Sequence, residues 1–507
     1  MTSERRHFFA LVVLLTAVHA VLAAVVPVSG DEAYYWDCSR HLDWSYFDQP
    51  PLVIWTMIPF RALLGETALA VRAPALLASL LVALFLLPLV RRLGGSPRQA
   101  AGIWLLLHAL PLFLIGSFYT STDVAMVAAF VGATWAAVAL AQGEQRGWYG
   151  FGVAMGLGFL AKFPVVLALP ALLPALVARG RDGRRFGALR SPHPWLAGVL
   201  AALLTSPVWI WAFAHDFDNL RFQLVERHGS GPFTLLFLGE FTAANLLLAT
   251  PFLFAGMLIA GWRRWREGDP AWRALLLAAL SPLVFFALVA IRTRVGAHWG
   301  GAGLTLGAVG LGLTAFRGRR TLIALGAATG LLLSAAAIAI ALVPEPLLGW
   351  EWSYRGRPRH ISTRKLTALV GNERILAEVE ARRRPGELVS SESYSLVHLL
   401  AFLSRGHLDT RLAHVGGGKH GLASLYWYSP EELLGKEMLF VTTERRFDER
   451  LHVLFASVSE EEPLLIESGG RLVRRIRFLR CRELREPVPA FSRLDPPVPV
   501  GGAGGAG

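Results

Sequence analysis

Five carboxylates crowd into one short stretch of this chain: residues 30–51 read GDEAYYWDCSRHLDWSYFDQPP and carry Asp31, Glu32, Asp37, Asp43 and Asp48. The sequence around them is almost all membrane-grade apolar, and carboxylates close to a bilayer are costly unless they have a partner or a task. Asp31, Glu32 and Asp48 are the candidates for chemistry. A carboxylate at an interface acts as a general base toward a hydroxyl acceptor. Cations near it stabilise the charge that develops on a departing phosphate, and Lys162, Arg292, Arg294 and His298 are of the right type. Asp31 and Asp48 are also a candidate ligand pair for a divalent metal cation that would do the same work. Tyr34, Tyr35, Trp36, Trp44, Tyr46 and Trp55 offer flat faces to a sugar ring, or simple anchoring at the interface. Together these parts suit transfer of a sugar from a lipid phosphate to an acceptor.

The elements that must position them are membrane helices. The 507 residues are 54% hydrophobic with a mean hydropathy of +0.45, which places the chain among polytopic membrane proteins. Clear spans are expected near 8–28, 68–92, 98–117, 123–141, 194–214, 236–261, 274–291, 299–316 and 321–343. The first follows Arg5 and Arg6. It passes for a signal peptide, but the many later spans make it an uncleaved first helix, and either reading puts residue 30 outside the cytoplasm.

Two segments are decided by the rule that arginine-rich loops stay inside. Residues 51–64 are too short to span comfortably and begin at two prolines, so they read as an interfacial helix on the outer surface. Residues 149–178, with Lys162-Phe163-Pro164 in the middle, read as a hairpin of two short helices. As a single span they would export Arg179, Arg181, Arg184, Arg185 and Arg190. The result is about 11 transmembrane helices with the amino terminus inside. The outer loops then collect Asp31, Glu32, Asp48, Asp123, Lys162, Arg221, Glu226, Arg227, His228, Arg292, Arg294 and His298. The net charge of +13 lies largely in the inner loops, as anchoring against anionic lipid requires, and nucleic acid is not an expected partner.

From about residue 344 the composition becomes polar and no run is long enough to span. Helices are expected at 363–384 and 394–404, and strands at 387–389, 438–441, 451–457 and 472–479. The chain thus divides into a transmembrane region, 1–345, whose first outer loop is 29–67, an extracytoplasmic α/β domain, 346–495, and a disordered Pro/Gly-rich tail, 496–507. Cys38 and Cys481 are the only cysteines, which excludes a disulfide scaffold and a cysteine metal site.

Each feature also has a plainer reading. Asp31 and Glu32 serve equally as solvated loop residues, Asp123 as a helix cap and Lys162 as a snorkelling lysine. The aromatics serve as an interfacial belt, and Arg292 and Arg294 as a helix end. The weight comes from their shared side of the membrane.

Residues GDEAYYWDCSRHLDWSYFDQPPLVIW resemble the first outer loop of glycosyltransferase family 39-type enzymes. These are the protein O-mannosyltransferase superfamily with its bacterial aminoarabinose-transferase-like and lipopolysaccharide-core-transferase-like branch. FYTSTDVAMVAAF is similar to their Thr-x-Asp segment, GLGFLAKFPVVLALP to their lysine-tipped hairpin, and RTRVGAHWGGAG to a late outer loop. The resemblance covers about 8–345.

It implies a GT-C fold, a polyprenyl-phosphate-linked sugar donor and an extracytoplasmic active site in a bacterial inner membrane. It also implies inversion at the anomeric carbon and an envelope lipid, glycan or protein as acceptor. Asp31 would be the base or essential carboxylate, Glu32 its motif neighbour, Asp48 the acidic residue before the prolines, and Lys162 the lysine near the lipid phosphate. Gln49, His298 and Gly300 depart from the family pattern. The alternatives are a transporter or flippase of envelope lipids and a noncatalytic assembly protein. Visible internal repeats and mid-membrane charges would favour a transporter, and neither is present in the sequence.

Overall fold

In a computed structural model of the chain, residues 3–178, 186–226, 233–354, 357–360, 363–415, 418–486 and 490–493 are described. Arg179, Arg181, Arg184, Arg185, Arg227, His228 and the tail 496–507 lie outside the described residues. The described chain is mainly helical and falls into two compact units. One comprises Met1–Val25 and Asp43–Ala337, the other Val26–Leu42 and Ile338–Gly507.

Among the described residues, six helices are long and apolar enough to cross a membrane: Ser3–Val25, Ala68–Arg92, Thr122–Ala141, His193–Ala214, Pro270–Val289 and Arg319–Leu342. Three further expected spans are broken. The first stops at His108 and restarts at Pro111, because proline has no N–H to continue a ladder. The second bends by 95° between Leu235–Ala249 and Pro251–Glu267, where Thr250 takes a φ of 60° and caps the new helix before Pro251. The third begins as a 3₁₀ turn, Ala297–Gly300, before Gly301–Leu313. The short segment 51–64 forms a separate helix, Leu52–Leu64.

The expected hairpin is present as Gly147–Ala161, a 3₁₀ run Phe163–Leu172 and the turn Leu173–Val177. Its first arm is rich in glycine for a packing reason. A Cβ on Gly152 would sit 2.5 Å from the Ala197 carbonyl oxygen, and one on Gly156 would sit 2.7 Å from Leu204. The helices Gly147–Ala161 and His193–Ala214 therefore approach backbone to backbone, which is how helices gain contact when lipid supplies no hydrophobic drive. Arg72, only 1% exposed, donates to the Ala23 carbonyl at 3.1 Å and ties Ala68–Arg92 to the first helix.

The second unit is built on a mixed sheet. Its strands are β1 Glu351–Tyr354, β2 Arg357–His360, β3 Leu388–Ser391, β4 Thr410–Leu412, β5 Met438–Thr442, β6 Phe455–Glu460, β7 Leu464–Ser468 and β8 Arg471–Leu484. β1 and β2 form a separate antiparallel pair, and the larger sheet runs β4-β3-β5-β8-β6, with β7 added along β8. β3 is parallel to β4 and β5, and β8 is antiparallel to its neighbours. β5 is buried throughout, and apolar up to Thr442, because both of its faces are covered. Leu439 and Val441 pack with Ile375 and Val379 of the helix Asn372–Arg382. Met438 and Phe440 pack with Leu451 and Phe455 on the other side.

Two expectations for this unit change. Residues 363–384 are not one helix but Arg364–Thr367 and Asn372–Arg382, parted at Gly371 with φ +78°. Residues 451–457 are not one strand. Asp448–Leu454 is a helix that passes into β6. Asp448 and Glu449 suit its positive first turn, and Leu451 and Leu454, three apart, face the core. Cys38 and Cys481 are both buried and not joined in a disulfide, and burial with Glu387 nearby raises the Cys481 thiol to about 12.

Candidate active site

The membrane unit brings three expected residues together. Thr122–Ala141 carries Asp123 in its first turn, where the helix dipole favours an anion. Lys162 ends Gly147–Ala161 in an extended conformation, with φ −163°. Its Nζ donates to Asp123 Oδ1 at 2.8 Å and Oδ2 at 2.7 Å. His298 Nε2 lies 3.3 Å from Asp123 Oδ2, and the Lys162 ammonium stands 5.3 Å over the Trp299 ring. Lys162 and Asp123 side chains are 17% and 14% exposed, against 50% for His298. The result is a half-buried cation against an aromatic wall, held by one carboxylate, with an exposed imidazole at its edge. That arrangement suits an anionic oxygen of a ligand. Asp123 is an ion-pair partner here, not a side-chain cap: Ser121 is the cap residue.

The other expected cations do not join this group. Arg294 pairs with Glu240, its Nε at 2.8 Å, on an exposed surface, and Arg292 is exposed. Arg221 is exposed too. Asp48 sits in a loop fixed by its backbone: Gln223 Nε2 donates to the Asp48 carbonyl at 2.7 Å, and Phe47 packs on Phe222 at 4.7 Å. Nearby, Trp211 Nε1 donates to Asp43 Oδ2 at 2.8 Å.

The second unit holds the start of the acidic loop as the helix Gly30–Cys38. Ser29 and Glu32 form a capping box: Ser29 Oγ accepts from Glu32 N at 3.2 Å, and Glu32 Oε2 accepts from Ser29 N at 3.0 Å. Glu32 is fully buried, so its visible task is to start the helix. Asp31 is its exposed neighbour, and Tyr394 donates its hydroxyl to Asp31 Oδ1 at 2.5 Å. Asp37 Oδ2 lies 2.8 Å from His398 Nδ1, and Asp37 Oδ1 accepts from Arg40 at 3.0 Å. Gly30 is required by the same packing, since a Cβ there would collide with Ser395. Tyr34 is buried, accepts from Ala423 N at 3.1 Å and lies tilted against His398, with ring centroids 4.9 Å apart. It serves as a packing residue and shows no open sugar platform.

Tyr394 and His398, which contact Asp31 and Asp37, are candidate site residues that the sequence reading missed. Their signal was present: they lie four apart on an expected helix, Tyr394–Leu403, and so share one face.

Burial raises the Asp37 carboxyl, but His398, Arg40 and His41 outweigh it and hold the group below its ordinary range. His41 stacks on Trp427 at 4.0 Å. Burial lowers its imidazole against the pull of Asp37, with Arg40, Arg411 and His398 adding to the fall, from 6.5 to about 4. The unfolded chain therefore takes up the His41 proton first, and stability drops as pH falls from 6.5 toward about 4. The Asp37 contribution is lost only at lower pH, through its depressed carboxylate range. The melting temperature of the purified protein is expected to fall between pH 7 and pH 5, and less steeply in His41→Gln. An identical slope in the variant would remove His41 as the cause.

Among the described residues, no three His, Cys, Asp or Glu side chains converge to hold a metal ion.

Comparison with known proteins follows the same lines. Residues 48–211 match the family described as dolichyl-phosphate-mannose-protein mannosyltransferase. Lipid A galacturonosyltransferase RgtD of Rhizobium johnstonii is 28% identical over 279 residues, 53% of this chain and 56% of that protein. The undecaprenyl phosphate-alpha-4-amino-4-deoxy-L-arabinose arabinosyl transferase of Edwardsiella ictaluri is 29% identical over 318 residues, 54% of each chain. The chain thus spans about half the length of the curated relatives it matches. The crystal structure of ArnT from Cupriavidus metallidurans in the apo state has a TM-score of 0.63 at 16% identity, covering 92% of this chain and 97% of that one. The same protein bound to undecaprenyl phosphate also gives 0.63, at 15% identity, covering 93% and 98%. The fold is shared over nearly the whole of both chains.

Proposed function

We propose that this chain belongs to the protein O-mannosyltransferase-like (GT-C) superfamily in its bacterial aminoarabinose-transferase-like branch, and that it transfers a sugar from a polyprenyl-phosphate donor to an envelope lipid of the lipid A type. The observation that carries the reading is the Asp123–Lys162–His298 group, a cation site matched to a lipid phosphate at the tip of a short hairpin. The reaction is a single displacement. The acceptor hydroxyl oxygen attacks the anomeric carbon, its proton passes to Asp31, and the bond from that carbon to the phosphate oxygen breaks. The electron pair leaves with the polyprenyl phosphate, whose charge Lys162 and His298 stabilise. Attack from the face opposite the leaving group inverts the anomeric carbon.

Asp48 is the second essential carboxylate in this reading, and Glu32 acts by building the helix that carries Asp31. Arg292 and Arg294 contribute at most to drawing in the anionic donor. The reading keeps about 11 crossings, counting the short and broken helices. It places the carboxylates and the α/β domain, 346–495, on the extracytoplasmic face of a bacterial inner membrane.

The test uses the full chain purified into lipid with a panel of radiolabelled undecaprenyl-phosphate sugars, including an aminoarabinose and a galacturonic acid, and lipid A as acceptor. Label is expected to move to lipid A from one donor, leaving undecaprenyl phosphate. If no donor is used, and Asp31→Asn leaves envelope lipids unchanged in cells, the transferase reading fails.

A further inference from the structure

The membrane unit contains a second feature, apart from the Asp123–Lys162–His298 group. A groove of about 350 Å³ runs between the helices Pro251–Glu267, Pro270–Val289 and Gly301–Leu313, lined by Met257, Leu280, Gly307 and Gly310 among others. Its lining is almost wholly apolar. It is open at Gly310, where an added Cβ would meet nothing within 4 Å. Two tryptophans, Trp262 and Trp265, also line it. Each carries an arginine over its ring, Arg266 at 5.9 Å from Trp262 and Arg273 at 5.6 Å from Trp265.

The charges at this place are unbalanced. Glu267 is taken by Arg264 at 2.8 Å, and Asp269 accepts from Ala271 N at 2.7 Å to cap its helix. Arg263, Arg266 and Arg273 are exposed, and among the described residues no carboxylate lies in ion-pair reach of any of them. An apolar channel, an aromatic rim and unpaired guanidinium groups are three parts of one amphiphile's complement. The channel takes a hydrocarbon chain, the tryptophans sit at headgroup depth, and the arginines take a phosphate.

We infer that this groove binds an anionic glycerophospholipid, with an acyl chain between the helices and its phosphate against Arg266 and Arg273. The arginine-rich ends of these helices face the cytoplasm by the positive-inside rule, so the lipid belongs to the inner leaflet, where anionic headgroups meet basic pockets between helices. The inference rests on the polytopic fold and not on the transferase reading.

Native mass spectrometry of the full chain, delipidated and then exposed to phosphatidylglycerol or phosphatidylcholine, tests it. The wild type is expected to retain phosphatidylglycerol in preference to phosphatidylcholine. Each basic residue at an anionic surface is worth roughly fivefold in binding, so Arg266→Gln with Arg273→Gln should weaken retention by roughly 25-fold. Both side chains are exposed, so the pair should fold normally. Gly310→Leu fills the groove and leaves the arginines intact, and should also release the lipid. Equal retention of the two lipids overturns the proposal, as does undiminished retention in either variant. Recovery of a polyprenyl phosphate from the groove of the protein as purified from cells overturns it too, by making the groove part of the donor site.

Discussion

Asp31→Asn is expected to lower the turnover of sugar transfer by roughly 10²–10⁴-fold, the usual cost of removing a general base, while the protein stays folded. The fold should tolerate it because Asp31 is exposed and holds no core contact. The helix start depends instead on Ser29 and Glu32. Asparagine keeps the shape and an acceptor for the Tyr394 hydroxyl, which lies 2.5 Å from the carboxylate, but it cannot take the acceptor's proton. Tyr394→Phe gives the companion result. It removes one charge-assisted hydrogen bond, worth about 1.5–3 kcal/mol, and should lower kcat by roughly tenfold to a hundredfold with KM for donor little changed. The checks are initial rates with saturating lipid A and a melting curve for each variant. Full turnover in Asp31→Asn would assign the base elsewhere.

Lys162→Ala is expected to cost roughly 10²–10³-fold in kcat/KM, on the scale of losing one preorganised group that stabilises developing charge. Both parameters should worsen, since the ammonium meets the phosphate in the donor and again as it departs. The substitution also strands Asp123, a carboxylate 14% exposed, and an uncompensated charge of that kind destabilises its surroundings. His298→Gln separates the two effects. Its side chain is half exposed and only 3.3 Å from Asp123, so the fold should be untouched while the rate falls by a smaller factor. Wild-type kinetics in a folded Lys162→Ala would show that the lysine only braces the hairpin.

The parts of this site that were legible in the sequence are those set by local rules. The run of carboxylates, the length of 51–64 and the lysine in the middle of 149–178 can each be read over one or two dozen residues. The inner arginines then sorted the loops by side. Apolar runs bounded by charge likewise marked β3, β5 and β8. What escaped depends on distance or on backbone detail. Nothing near Asp37 indicates that its partner is His398, 361 residues later. Nothing in residues 26–51 marks the change of unit between Leu42 and Asp43. The 95° bend at Thr250 hides in a run that is apolar on both sides, because hydropathy records composition and not direction. The helix Asp448–Leu454 has the same apolar residues as a strand, and only their spacing of three distinguishes it.

The Asp31–Tyr394 hydrogen bond joins residues 363 positions apart, and the helix bearing Asp31 packs in a unit otherwise made from Ile338 onward. A ribosome delivers the carboxylate 363 residues before the tyrosine that supports it. While the chain is being made, the membrane helices can insert and even pass for a finished protein, yet the residue proposed to take the proton has nothing to rest on. Competence to react would then arrive in one step, once the helix that carries Tyr394 has been made. A nascent or prematurely terminated chain would sit in the bilayer without spending the cell's lipid-linked sugar.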